Sequence, residues 1–293
     1  MQGPLLAGVG AKLGEALGQR VKLQRAESVG GGCIHSAYRA TDGDHSWFIK
    51  VNDAVRADMF AAEADGLQAL AQAPLRVPRC ICHGEAGGQS FLVLEWLTLG
   101  AGAPRAYAKL GEQLARMHAL TGAQFGWRRD NYIGATPQAN TVEDSWPRFY
   151  ANARLAPQLA LARNNGHAAL GNEGAKLLLA LPKLFGGHTP QPSLLHGDLW
   201  AGNAAFLAEG TPVIFDPAVY YGDREAEVAM TELFGGFPGD FYAAYRACSP
   251  LDPGYRVRKT LYNLYHVLNH ANLFGGGYAL QAKDMIERLL AEA

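Results

Sequence analysis

The chain has 293 residues, 48% hydrophobic and 18% charged, with 26 Lys and Arg against 27 Asp and Glu. That length suffices for one large or two modest cores, the hydrophobic content excludes a disordered chain, and the charge balance argues against a protein whose main task is to coat a polyanion or an anionic membrane. Glycine is the outlier at 35 residues, so either turns are abundant or backbone must approach something closely.

The four cysteines, Cys33, Cys80, Cys82 and Cys248, are too few and too scattered for a disulfide framework and read as reduced thiols. Cys80 and Cys82 with His83 lack a second ligand pair at zinc-like spacing, so they read as ordinary strand or loop residues. Residues 1–20 carry no basic start followed by a sustained apolar stretch, and no apolar run is long enough to span a bilayer. A cytoplasmic protein is expected.

In chain order, Leu13, Leu17 and Val21, spaced by four, predict a short opening helix, and Gly8 and Gly10 before them read as turns. Residues 21–26 and 34–39 flank a glycine-rich stretch, Gly30, Gly31, Gly32 and Cys33, and predict a hairpin. Residues 47–51 form a compact strand pattern that carries Lys50. Met59, Phe60, Ala64, Leu67 and Leu70 recur at helical spacing with Glu63 among them, until Pro74 and Pro78 stop the helix. Residues 91–97 are a continuous apolar run suited to a buried strand.

Helical periodicity dominates afterwards. Leu110, Leu114, Met117, His118 and Thr121 share one face, and residues 149–161, 176–184, 255–272 and 282–293 give further helices. Two short strand-like runs, 193–196 and 212–216, interrupt them, and each ends in a chemically capable residue. The fold class is therefore α+β. A small strand-rich lobe with one key helix, residues 1–96, precedes a larger, mainly helical lobe, residues 97–293, in a cleft architecture.

The strongest signal is His196, Gly197, Asp198, Leu199, Trp200 and, at the end of the same stretch, Asn203, followed by a strand ending in Asp216. Phosphoryl transfer needs a carboxylate to accept the attacking hydroxyl's proton, and an amide oxygen with a second carboxylate to hold Mg²⁺. Asp198, Asn203 and Asp216 occur in the order that kinase catalytic and metal loops require. Lys50 on its strand and Glu63 on its helix match the phosphate-gripping lysine and its partner, and Gly30, Gly31 and Gly32 precede them where a hairpin would cover phosphates. Glu95, Trp96 and Leu97 stand at the lobe junction, where backbone groups would take adenine. Glu227 reads as a support of the catalytic loop, with simple solvation on a helix as the alternative. No Walker or Rossmann glycine pattern is present.

Taken with Phe125, Gly126 and Trp127, the run 130–134, Trp146, Arg154 and Leu155, the run 212–225 and the run 234–238, these motifs resemble the fructosamine/ketosamine-3-kinase family along nearly the whole chain. The resemblance implies a two-lobed protein-kinase-like fold, shared with aminoglycoside phosphotransferases and choline kinases. It also implies ATP- and Mg²⁺-dependent phosphorylation of the 3-hydroxyl of a ketosamine, free or on a glycated protein, leading to deglycation. Asp198 is then the catalytic base, Asn203 and Asp216 hold the metal, and Lys50 with Glu63 contacts ATP. Trp200 presents an aromatic face to the sugar. Cys33 is a redox candidate, since family members with a cysteine here form disulfide-linked dimers, so the expected state is a monomer or a redox-linked homodimer. No nucleic-acid or membrane partner is expected. Two other readings are a kinase of another small metabolite, such as an aminoglycoside or choline, and a non-catalytic nucleotide-binding regulator on the same scaffold.

Overall fold

The computed structural model describes residue 1, residues 3–30 and residues 34–293. Gly31, Gly32 and Cys33 of the glycine-rich stretch lie outside the described residues. In chain order the elements begin with α1 (Gly3–Leu17), β1 (Arg25–Ser28), β2 (Ser36–Thr41), β3 (Ser46–Asp53), α2 (Ala57–Leu70), β4 (Cys80–Ala86) and β5 (Gln89–Glu95). Then come α3 (Pro104–His118), β6 (Asn131–Ile133), β7 (Thr136–Gln138), α4 (Trp146–Phe149), a π-helical stretch Tyr150–Leu155, α5 (Ala156–Asn164) and α6 (Ala168–Phe185). The last are β8 (Ser193–Leu195), β9 (Ala204–Phe206), β10 (Pro212–Ile214), β11 (Tyr220–Gly222), α7 (Arg224–Thr231), α8 (Gly239–Cys248), α9 (Tyr255–Phe274) and α10 (Gly277–Glu292). Two compact units result: Met1–Gly102 with Ala205–Pro217, and Ala103–Ala204 with Ala218–Ala293.

The first unit is built on an antiparallel sheet of order β1-β2-β3-β5-β4. On β3 the pleat sends Trp47, Ile49 and Val51 into a core with Leu5, Val9 and Leu13 of α1, and alternate residues, Lys50 among them, to the other face. Helix α2 packs on β4 and β5. Segment Ala205–Pro217 belongs to this unit although it lies more than a hundred residues along the chain: Gly100 and Phe206 exchange backbone hydrogen bonds, and the Ile214 N–H donates to the Arg76 carbonyl. In the second unit, helices surround two short ribbons, β8 with β11 and β6 with β7. Among the described residues no helix is long and apolar enough to cross a membrane.

Several boundaries differ from the sequence expectation. The opening helix is α1, and it starts ten residues earlier than Leu13: Leu5 and Val9 continue the same four-residue spacing backward, while Gly18, at φ 65°, ends it. Val21 lies beyond the helix and is buried in the sheet core. Gly8 and Gly10 are therefore helical rather than turns, and at Gly8 a Cβ would come 2.4 Å from the Ala86 Cβ of β4. The hairpin exists with its strands shifted to Arg25–Ser28 and Ser36–Thr41. Helix α3 stops at His118, so Thr121 leaves the predicted face and instead bridges Ser193, the first residue of β8. Strand β4, ribbon β6–β7 and helices α7 and α8 were not predicted. Cys80 and Cys82 lie on β4, where burial pushes both thiols up to about 11.

The Gly8 contact gives a prediction with competing signs. Alanine for glycine inside a helix normally stabilises by about 1 kcal/mol, whereas overpacking against a short side chain fixed to a strand costs about 1–3 kcal/mol. Gly8→Ala should therefore lower unfolding free energy in urea titration, and adding Ala86→Gly should recover most of the loss.

Candidate active site

In the first unit the lysine on β3 is surrounded by carboxylates. Lys50 Nζ donates to Glu63 Oε1 and to Asp216 Oδ1, both at 2.6 Å. Glu63 reaches it because Met59, Glu63, Leu67 and Leu70 share the face of α2 turned to the sheet, so a carboxylate sits on an otherwise apolar stripe. Burial works against the charge of Lys50, but the attraction of Asp216 and Glu63 outweighs it and raises the lysine above its ordinary value. Burial, together with repulsion from Asp216, raises Glu63 against the pull of Lys50. The two carboxylates differ in access to water, with the Glu63 side chain 11% and that of Asp216 47% exposed. Asp216 also holds φ 59°, the one positive value at a non-glycine position among the described residues. Aspartate tolerates that conformation better than most residues.

Beside this cluster lies His35, which sequence reasoning missed as a site residue. Its Nδ1 is 2.7 Å from Asn52 Nδ2, and its ring meets Phe60 at 4.8 Å. Burial and then the nearby Lys50 lower it to about 4, so the ring is neutral at physiological pH. Gly30 has open space around its Cα. The Glu95 side chain accepts from Arg76 and from the Arg79 N–H, and its own N–H donates to the Arg79 carbonyl. Trp96 is covered by Arg39 at 4.8 Å and Phe48 at 6.5 Å, and Leu97 follows it at half-buried exposure.

In the second unit, β8 delivers the chain into the loop of His196, Gly197 and Asp198. The His196 and Gly197 N–H groups donate to the two oxygens of Glu227, at 3.1 and 2.6 Å. Gly197 is required here: at φ 85° a Cβ would lie 2.0 Å from the Ala218 carbonyl oxygen. The same Ala218 donates its N–H to the His196 carbonyl at 2.8 Å. Asp198 is half-buried, and its N–H donates to His196 Nδ1 at 3.3 Å. Asn203 Nδ2 donates to the Asp198 carbonyl at 2.8 Å and to Asp198 Oδ2 at 3.1 Å. The amide nitrogen is thus spent on Asp198. Trp200 meets Phe234 edge-on at 5.8 Å.

Glu227 is fully buried, on the first turn of α7. His118 Nε2 stands 2.9 Å from Glu227 Oε1, and His118 Nδ1 is 2.7 Å from the Tyr245 hydroxyl. A carboxylate can only accept, so His118 Nε2 carries a proton and donates to Glu227. Burial opposes the charge of Glu227, but the hydrogen bond and attraction of His118, with His196 and the Gly197 N–H, hold the carboxyl below its ordinary value. Its role is support of the loop, and the solvated-helix alternative is excluded by its burial. His118 and Tyr245 were missed as site residues. The available signal was a histidine on the apolar face of α3, beside Leu110, Leu114 and Met117.

The family model for fructosamine kinase matches residues 7–292. The chain belongs to the fructosamine kinase family. This family member is 50% identical over 286 residues to a protein of Synechocystis sp. named a probable ketoamine kinase, covering 96% of each chain. It is 41% identical to the chloroplastic protein-ribulosamine 3-kinase of Arabidopsis thaliana, over 93% of this chain and 85% of that one. A Haemophilus somnus crystal structure described under the name fructosamine-3-kinase superposes with TM-score 0.89 at 29% identity, covering 96% of both chains. Aminoglycoside phosphotransferases share the protein-kinase-like fold, at TM-score 0.61 and 16% identity for one in complex with ADP and hygromycin B.

The Glu227 geometry yields a kinetic prediction. Glu227→Gln keeps one acceptor and loses the charge that both loop N–H groups and His118 use, which is worth about 1.5–3 kcal/mol per charged hydrogen bond. Turnover should fall by about tenfold or more while the KM for ATP changes by less than about twofold. Steady-state kinetics of the variant check it.

Proposed function

We propose that this fructosamine kinase family member uses ATP to phosphorylate the 3-hydroxyl of ketosamines, the adducts that reducing sugars form with amines. The observation that carries the reading is the Asp198 carboxylate, steered by the Asn203 amide on a loop whose N–H groups are held by a buried Glu227. The names of the relatives support the acceptor class, and the kinase family supports the use of ATP.

In this mechanism Asp198 accepts the proton of the acceptor hydroxyl as its oxygen bonds to the γ-phosphorus and the bond to ADP breaks. Lys50, kept charged by its carboxylate partners, contacts the phosphates, with Glu63 fixing its position. The glycine-rich stretch that begins at Gly30 is assigned to the phosphates from its order in the chain, and the backbone of Glu95, Trp96 and Leu97 takes adenine. Trp200 supplies a face for the sugar. Asn203 and Asp216 are the residues that would hold Mg²⁺, assigned from their order in the chain. Their chemistry fits: Asn203 offers a hard oxygen once its nitrogen is committed to Asp198, and Asp216 already pairs with a cation in Lys50. When bound, the ion neutralises charge on the phosphates.

An ATP-consumption screen of fructosyl- and ribosyl-amines beside choline and aminoglycosides tests the reading; activity confined to the last two overturns it. Asp198→Asn should lower turnover by about 10²–10⁴-fold with little change in ATP affinity, because the base is lost and the phosphate contacts remain. Near-wild-type turnover would remove Asp198 from the mechanism.

A further inference from the structure

Trp200, two residues past Asp198, is the inner end of a continuous run of rings. Its neighbour Phe234 packs on His270 with centroids 4.6 Å apart, and His270 in turn meets Tyr278 at 5.1 Å and Phe274 at 5.5 Å. These rings come from the catalytic loop, the segment after α7, the end of α9 and the start of α10. Gly275 and Gly276, both at positive φ, reverse the chain between the two helices and so bring Phe274 and Tyr278 to the same imidazole. The imidazole adds no charge to the run: its Nδ1 donates to the His266 carbonyl at 2.9 Å, and burial lowers its pKa from the ordinary value.

The outer end is open to water. Phe274 is 59% exposed, and Leu280, one turn into α10, is 64% exposed. A single exposed phenylalanine has no meaning by itself. This one terminates a row that starts beside the catalytic aspartate.

We propose that Phe274 and Tyr278 form an outer subsite for the amine-borne part of the ketosamine, selecting substrates whose amine carries an aromatic or apolar group. The inference rests on the reading above, in which Asp198 and Trp200 take the sugar. In a ketosamine the acceptor hydroxyl is on the third carbon and the amine on the first, so the amine substituent leads away from the reacting oxygen. A group leaving the sugar along the Trp200 side meets Phe234, the neutral His270 ring and then Phe274 and Tyr278. Ring-on-ring contact with these favours a benzyl group over hydrogen at the same position.

The test compares fructosyl-phenylalanine with fructosyl-glycine, which share the sugar, the amine and the carboxylate and differ by the benzyl group. The wild type should show the higher kcat/KM for fructosyl-phenylalanine. Phe274→Ser and Tyr278→Ser should each lower the ratio of the two values by about fivefold, through KM, as expected for loss of one aromatic contact. Leu179→Ser, at an apolar residue 85% exposed on α6, should leave the ratio unchanged. Thermal unfolding confirms that each variant is folded. If the wild type phosphorylates both adducts and the ratio is unmoved in both ring variants, or falls equally in Leu179→Ser, the subsite is overturned and the kinase reading stands. If the wild type phosphorylates neither, the kinase reading fails and the subsite fails with it.

Discussion

A carboxylate without access to water, Glu227, is the constraint on which the second unit turns. Burying a charge costs several kcal/mol unless its partners are complete, and breaking a buried pair costs about 3–5 kcal/mol. Glu227 takes its partners from His118 on one side and from the His196 and Gly197 N–H groups on the other. The loop that carries Asp198 therefore cannot relax without stranding that charge. The shape of the loop then places Asp198 and, through two hydrogen bonds, Asn203. Helix α7 must itself be anchored for this to hold. Asp223 caps it by accepting the Glu225 N–H, and Arg258 pairs with Glu225 at 2.7 Å in a buried contact.

The first unit applies the same electrostatics with a different outcome. One buried ammonium, Lys50, is shared by two carboxylates, and the difference between them lies in solvation. Glu63 is largely removed from water, so separating it from Lys50 would leave a buried carboxylate unpaired. Asp216 is half exposed, and water can compensate its loss of Lys50 at smaller cost. Glu63 is in this sense the fixed partner of the lysine and Asp216 the exchangeable one, which suits a residue proposed to take a metal ion in turn. The positive φ at Asp216 belongs with this, since strained backbone persists where surrounding contacts over-determine it.

The grouping of several candidate residues was legible because they are close in sequence or follow regular periods. Asp198 and Asn203 are five residues apart on one loop, and strand and helix periodicity put Lys50 and Glu63 on facing surfaces. The partners of Glu227 were not legible. His118 and Tyr245 lie 109 and 18 residues from it, and no local spacing links a histidine on α3 to a tyrosine on α8. Strand β4 was hidden for another reason: Gly84 and the cysteines weaken its apolar alternation, and it is specified by pairing with β5. Gly8 and Gly10 looked like turn residues because glycine lowers helix propensity. Tertiary contact overrides that propensity, since only a glycine lets α1 approach Ala86.

The glycine surplus shows where the division falls. By itself the sequence determined the α+β class and the order of the chemical groups, because these depend on composition, local period and motif spacing, and its motifs carried the resemblance to the family. Tertiary structure alone decided which glycines are turns and which are points of close approach, and which carboxylate is buried beneath the loop. It also decided which aromatic rings line up from Trp200 to Phe274. Each of these depends on contacts between residues far apart in the chain, where distance and desolvation set the energy and sequence separation carries no information about either.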